Sequence, residues 1–85
     1  MIATVYVVAC ECHQPIGLNV FCSRAEMITA APHYQQHGEP SIDEIADELM
    51  ACAEAIEVPS GLDIGNGYFD SRVEFDAAVR AADRA

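Results

Sequence analysis

The sequence predicts one small α+β domain over residues 1–85, with the element order β-β-α-α-β-α. Residues 3–12 are rich in β-branched and aromatic side chains and contain neither glycine nor proline, which is typical of a strand. Apolar residues over 42–56 recur with the period of a helix. A chain of 85 residues suffices for one modest hydrophobic core. We therefore expect an antiparallel hairpin and a short third strand, packed by helices.

The first two strands are predicted to form a β-hairpin. Residues 3–12 make the first strand, the Pro-Ile-Gly connection at 15–17 places glycine where a positive φ is needed, and residues 18–22 return. With this loop Cys10 lies opposite Cys22. One face of the hairpin is then expected to supply the core with Tyr6, Val8, Cys10, Cys12, Leu18, Val20 and Cys22.

Helix starts are predicted by the spacing Ser-x-x-Glu. In this capping box the serine and glutamate side chains satisfy unpaired N–H groups at a helix N-terminus. The spacing occurs at Ser23–Glu26, Ser41–Glu44 and Ser71–Glu74. We expect a short helix over residues 24–31, ended by Pro32. A longer helix is expected over residues 42–57, closed by Pro59, and a terminal helix after residue 71.

Apolar periodicity supports the two longer helices. The middle helix has apolar residues at Ile42, Ile45, Ala46, Leu49, Cys52, Ala53 and Ile56. The terminal helix is expected to bury Phe75, Ala78, Val79 and Ala82. Between them, residues 60–67 form a glycine-rich turn, and Tyr68 with Phe69 forms the short third strand.

Composition excludes several classes of protein. Hydrophobic residues make up 52% of the chain, too many for a disordered protein. No apolar run reaches the roughly 18 residues of a transmembrane helix, and residues 2–10 lack the flanks of a signal peptide. We expect a cytoplasmic protein without membrane contact. Its four cysteines are then reduced: Cys10, Cys12, Cys22 and Cys52.

The net charge of −10 comes from fourteen acidic residues against four arginines. Contacts to phosphate depend on lysine and arginine, so this balance argues against direct binding of nucleic acid. It favours basic partners. The alternative is that the acidity serves solubility alone.

The acidic residues are concentrated in and around the predicted middle helix. No basic residue lies between Arg24 and Arg72, and the candidate partner-binding residues are Glu39, Asp43, Glu44, Asp47, Glu48, Glu54 and Glu57. Like charges four residues apart destabilise a helix by about 0.2–0.5 kcal/mol for each pair. A surface selected only for solubility would interleave lysines.

A row of carboxylates on a helix can imitate phosphates, because a step of four residues rises about 6 Å, comparable to the charge spacing of a nucleic-acid backbone. In size, acidity and lack of catalytic motifs the chain resembles small viral inhibitors of host defence, including some anti-CRISPR and anti-restriction proteins. The resemblance implies a nucleic-acid mimic that acts in the host-cell cytoplasm, without a cofactor, on the basic surface of a nucleic-acid-binding protein or complex. An ordinary solvated helix face is the alternative.

A zinc-binding module is the alternative function. Thiolates and imidazole bind zinc, and the hairpin could gather Cys10, Cys12, His13 and Cys22. One intervening residue on a strand separates two sulfurs by roughly 7 Å, however, and buried cysteines pack well as small hydrophobic residues. Core cysteines are therefore the preferred interpretation.

No catalytic motif is found, so we do not expect an enzyme. Cys12 and His13 are an adjacent thiol and imidazole, but neighbours on a strand point to opposite faces. A homodimer formed through an exposed sheet edge is compatible with each of these functions.

Overall fold

The computed structural model describes residues 2–10, 17–35, 37–65 and 67–84. Four strands and three α-helices follow one another in these ranges: β1 (Ile2–Cys10), β2 (Gly17–Phe21), α1 (Arg24–Ala30), α2 (Ile42–Cys52), β3 (Glu54–Pro59), β4 (Tyr68–Phe69) and α3 (Arg72–Arg84). A 3-10 turn over Ala31–Tyr34 follows α1 directly. The predicted α+β class is confirmed. None of these helices combines the length and the apolar character that crossing a bilayer requires.

The strands form one antiparallel sheet in the order β3-β1-β2-β4. The central strand β1 pairs with β2 over residues 6–10 and with β3 over residues 2–7. The short strand β4 pairs with β2 at the other edge. The apolar sequence of β1 therefore reflects its central place in the sheet.

The hairpin forms, but in a different register from the predicted one. Cys10 lies opposite Gly17 and not opposite Cys22. The partner of Cys10 thus moves from residue 22 to residue 17, five positions along the chain. Residues 11–16, where the predicted loop begins and where Cys12 and His13 occur, lie outside the described residues.

The register shift exchanges the faces of the second strand, because an odd shift turns every side chain to the other side of the sheet. Tyr6 and Val8 pack on one face, as predicted, and Leu18 and Val20 pack on the opposite one. The single core face predicted for the hairpin is wrong. Both faces of the sheet are covered.

Gly17 also has a role different from the predicted one. It is a strand residue of β2 and is not among the glycines with positive φ in the described chain. A Cβ atom at this position would clash with the ring of Tyr68 on the neighbouring strand β4. Glycine leaves room here for the aromatic ring that lies against its backbone.

The strand β3 replaces the last part of the predicted middle helix. α2 ends at Cys52, and Ala53 has extended backbone angles of φ −73° and ψ 146°. The next six residues pair with β1. Ile56 fits the helical period of α2, but together with Val58 it also fits the period of a strand, and pairing with β1 selects the strand. The element order is therefore β-β-α-α-β-β-α.

Two hydrophobic clusters lie on opposite faces of the sheet. The first lies under α1 and α2 and contains Phe21, Met27, Ala31, Ile45, Ala46 and Leu49. The second lies under α3 and contains Val5, Val7, Val20, Val58 and Phe75. Of the residues predicted to be buried in α3, Phe75 is fully buried, and Ala78, Val79 and Ala82 are half-buried. The fold thus has a helix layer on each side of the sheet.

The predicted caps form at two of the three helices. The hydroxyl oxygen of Ser41 accepts a hydrogen bond from the backbone N–H of Glu44 at 3.2 Å. Ser71 accepts in the same way from Glu74 at 3.2 Å. Ser23 precedes α1, as predicted, but its side chain makes no capping bond. The predicted capping box at Ser23 is therefore wrong, although the predicted start of the helix is confirmed.

Candidate functional site

α2 presents four acidic side chains on its outer side. Its inner side buries Ile45, Ala46 and Leu49 against the sheet and α1. Since a helix has 3.6 residues per turn, burial of these positions leaves the intervening ones in solvent. The exposed acidic residues of α2 are Asp43, Glu44, Asp47 and Glu48. They form two adjacent rows, each with a step of four residues.

Arg24 at the start of α1 neutralises one of the two rows. Its guanidinium lies 2.8 Å from Asp47 Oδ1 and 3.7 Å from Asp43 Oδ1. It also donates a hydrogen bond to the backbone carbonyl of Asp43 at 3.4 Å. The hydrogen bond to Asp47, together with the charge of both carboxylates, raises the pKa of Arg24 despite some desolvation. Arg24 thus interrupts the concentration of acidic residues predicted for the middle helix.

The second row, Glu44 and Glu48, has no basic partner in the described part of the chain. The hydroxyl of Ser41 donates to Glu44 Oε1 at 3.2 Å, which orients this carboxylate. Glu48 is exposed one turn further along the helix. These two side chains are the part of the predicted acidic face on α2 that carries no ion pair among the described residues.

Glu39 lies in the exposed loop that leads into α2. The side-chain amide of Gln35 bridges this loop by donating to the carbonyl of Gly38 at 3.4 Å and to that of Pro40 at 3.0 Å. Such side chain to backbone bonds hold a loop in shape. Glu39 thus extends the negative surface at the N-terminal end of α2.

Glu54 and Glu57 do not lie on α2, contrary to the prediction. Both belong to β3, where successive side chains point to opposite faces, so residues 54 and 57 are on different sides of the sheet. Glu54 Oε2 lies 3.1 Å from the guanidinium of Arg72 at the start of α3. Arg72 also donates a hydrogen bond to Asp76, and this bond is the main cause of the raised pKa of Arg72. Glu54 is therefore part of a surface ion-pair network.

Cys22 does not belong to the predicted core group of cysteines. Cys22, which was predicted to lie in the core, is exposed, and Cys52 at the end of α2 is exposed as well. Partial desolvation, followed by the charge and hydrogen bond of Glu26, raises the pKa of the Cys22 thiol. A raised pKa reduces the thiolate that binds metal.

The strand register separates two of the proposed zinc ligands, Cys10 and Cys22. Cys10 and Cys22 are separated along the hairpin because Cys10 faces Gly17. The described residues include no group of three or more metal-binding side chains. Cys12 and His13 lie outside the described residues. The register that motivated a site at Cys10, Cys12, His13 and Cys22 is therefore wrong.

Sequence reasoning missed a cleft where β3 and α3 end side by side. The cleft has a volume of about 680 Å³ and is lined by Ile2, Glu57, Val58, Pro59, Ser60, Gly61, Val79, Ala82 and Asp83. The alternation of Ile56 and Val58 was the signal that could have revealed β3, and with it this cleft.

The exposed carboxylates described above share a simple chemistry. Carboxylates accept charge-assisted hydrogen bonds from guanidinium and ammonium groups, which suits recognition of arginine and lysine. The two exposed glutamates of α2 present this chemistry on a rigid helix.

Comparisons of the chain with models of protein families, with curated proteins and with solved structures found no match.

Proposed function

We propose that this chain binds another protein and that the outer face of α2 occupies a basic surface that otherwise holds nucleic acid. The partner is a nucleic-acid-binding protein or complex, and inhibition of a host defence complex in the manner of an anti-CRISPR protein fits this role. Binding, not catalysis, is the proposed activity.

The observation that carries the proposal is the row formed by Glu44 and Glu48. The two carboxylates are one helical turn apart, exposed, and without a basic neighbour among the described residues. Such a like-charge pair destabilises an isolated helix by roughly 0.2–0.5 kcal/mol. An opposing row of basic side chains would turn this repulsion into attraction.

Asp43 and Asp47 contribute less to binding in this proposal, because Arg24 already offsets their charge. The net charge of −10 adds a long-range attraction that speeds encounter with a basic surface. Attraction between exposed charges weakens as salt is added, so the complex should be salt-sensitive.

The test is capture of proteins from nuclease-treated host lysate on the immobilised chain, followed by elution with duplex DNA. Wild type should capture a nucleic-acid-binding partner that is eluted when duplex DNA is added. The variant Glu44→Lys with Glu48→Lys should fail to capture this partner. DNA competes in this assay because both ligands use the same basic surface.

Asp70→Lys with Glu74→Lys is the matched variant for this test. It makes the same change in net charge, and Glu74 stands three residues after a capping serine, as Glu44 does. It should keep the partner. Identical captured proteins for both variants would show that the α2 face is not the binding surface. Thermal unfolding checks that both variants fold.

A further inference from the structure

The outer edge of β3 carries backbone groups without a partner in the described structure. β3 is an edge strand of the sheet and pairs with β1 on one side only. None of the backbone hydrogen bonds outside the ladders and helices involves residues 54–58. An edge of this kind presents N–H and C=O groups to which another extended segment can add.

α3 runs beside β3 and in the same direction. At one end the Arg72 guanidinium contacts Glu54 at 3.1 Å. At the other end the cleft is lined by Pro59 from β3 and by Ala82 and Asp83 from α3. The cleft therefore opens at the end of the strand edge, with α3 as one wall.

The cleft has an apolar floor. Val58 is buried and Val79 and Ala82 are half-buried, while Ile2, which also lines the cleft, is 67% exposed. Its volume of about 680 Å³ is within the usual range for a ligand site. An aliphatic chain can lie on this floor and remove apolar surface from water.

The charged groups of the cleft lining are both negative. Glu57 and Asp83 line the cleft, whereas Arg80 and Arg84 of α3 do not. Glu57 projects from β3 on the face away from α3, because Glu54, three residues earlier, contacts Arg72 of α3. Asp83 is therefore the carboxylate on the α3 side of the cleft. A lysine or arginine side chain matches this arrangement, because its methylene stem can cover Val79 and Ala82 while its cationic end reaches Asp83. The complementary ligand is basic.

A second copy of the chain is a poor occupant of the same edge. Each copy carries a net charge of −10. Pairing β3 with itself would bring the glutamates at 54 and 57 of the two copies close together, and like charges across paired strands are destabilising. The edge therefore favours a partner of opposite charge.

We propose that residues 54–58 bind an extended basic segment of another protein, which adds to the sheet beside β3 and places a lysine or arginine side chain in the cleft. This interaction surface is separate from the α2 face, because α2 packs on the face of the sheet that carries Tyr6 and Val8, whereas Val58 and Val79 of the cleft belong to the cluster under α3 on the opposite face. It goes beyond the function proposed for α2.

A peptide titration tests the proposal. The probe is an eight-residue peptide of alternating lysine and valine, blocked at both ends, added to the ¹⁵N-labelled full chain. Saturable shifts are expected at the amides of residues 54–58 and 79–83. The glutamate-valine peptide should cause none. N-methylation of alternate probe amides should weaken binding by about tenfold, because it removes the strand hydrogen bonds.

Substitutions separate specific binding from general charge attraction. Glu57→Lys with Asp83→Lys should lower the affinity for the lysine-valine peptide by roughly tenfold, as expected for loss of two exposed ion pairs. Asp70→Lys with Glu74→Lys changes the net charge equally and should leave the affinity within about twofold. Equal weakening in both variants, absence of shifts, or shifts on α2 instead of β3 would each overturn the proposal.

Discussion

Single residues in this fold are restricted by neighbours that are distant in the sequence. Gly67 has a positive φ of 81°, and a Cβ atom there would lie 2.9 Å from the backbone oxygen of Val20. The carbonyl of Gly67 accepts a hydrogen bond from the N–H of Val20 at 2.7 Å. The turn before β4 is thus fastened directly to β2.

We predict that Gly67→Ala lowers the free energy of unfolding by about 2 kcal/mol, because alanine disfavours the positive φ and its methyl group crowds Val20. Gly61→Ala is the matched change, since a Cβ atom there meets nothing within 4 Å. It should alter the free energy of unfolding by less than about 0.5 kcal/mol. Urea denaturation measures both, and equal effects would contradict this explanation.

At the same scale, the sequence identified the acidic side chains of α2 but not their environment. Asp43 and Glu44 are neighbours in the chain, yet Arg24 contacts the first and a serine hydroxyl the second. The arginine is distant in sequence, so composition and spacing could not show which carboxylate it would reach. The local capping contact of Glu44 was predictable from the Ser-x-x-Glu spacing.

Individual helices differ in how their starts are stabilised. The capping bond of Ser41 satisfies an N–H group of α2, whereas the side chain of Ser23 does nothing similar for α1. Ser41→Ala should therefore cost about 1 kcal/mol in the free energy of unfolding. Ser23→Ala should cost less than about 0.5 kcal/mol. Chemical denaturation of the two variants compares them, and equal losses would show that the caps do not distinguish these helices.

Features that depend on nearby residues in the sequence, such as helix starts, could be predicted. Features that depend on pairing with another strand could not. All three helix starts follow a serine, as the sequence indicated. The end of α2 was missed because Ile56 continues the helical period, and only pairing with β1 shows that residues 54–59 are a strand. The prediction of the hairpin register was wrong for a related reason, because the register depends on which face of each strand is covered by helices.

The molecule as a whole carries an excess of negative charge that its arginines do not balance. Fourteen acidic residues oppose four basic ones, and the two arginines with described ion pairs neutralise only their own neighbours. Mutual repulsion of the remaining carboxylates destabilises the folded state at low salt. Screening should relieve this repulsion because the Debye length falls as salt increases.

We predict that Tm rises by roughly 5 °C between low and moderate sodium chloride concentration, which for a domain of this size corresponds to about 1 kcal/mol of relieved repulsion. Asp70→Lys with Glu74→Lys reduces the net charge and should reduce the rise. Calorimetry at neutral pH measures both proteins. A Tm that falls with salt would mean that the described ion pairs outweigh the net repulsion.

The two-sided core also determines when each part of the fold can form during synthesis. The buried residues of the cluster under α1 and α2 all lie at or before Leu49, whereas the cluster under α3 requires Val58 and Phe75. A ribosome makes the N-terminal part of a chain first. One face of the growing hairpin, with Val5, Val7 and Val20, therefore remains uncovered until residue 75 has emerged. During that interval the nascent chain exposes a hydrophobic surface of the kind that chaperones recognise.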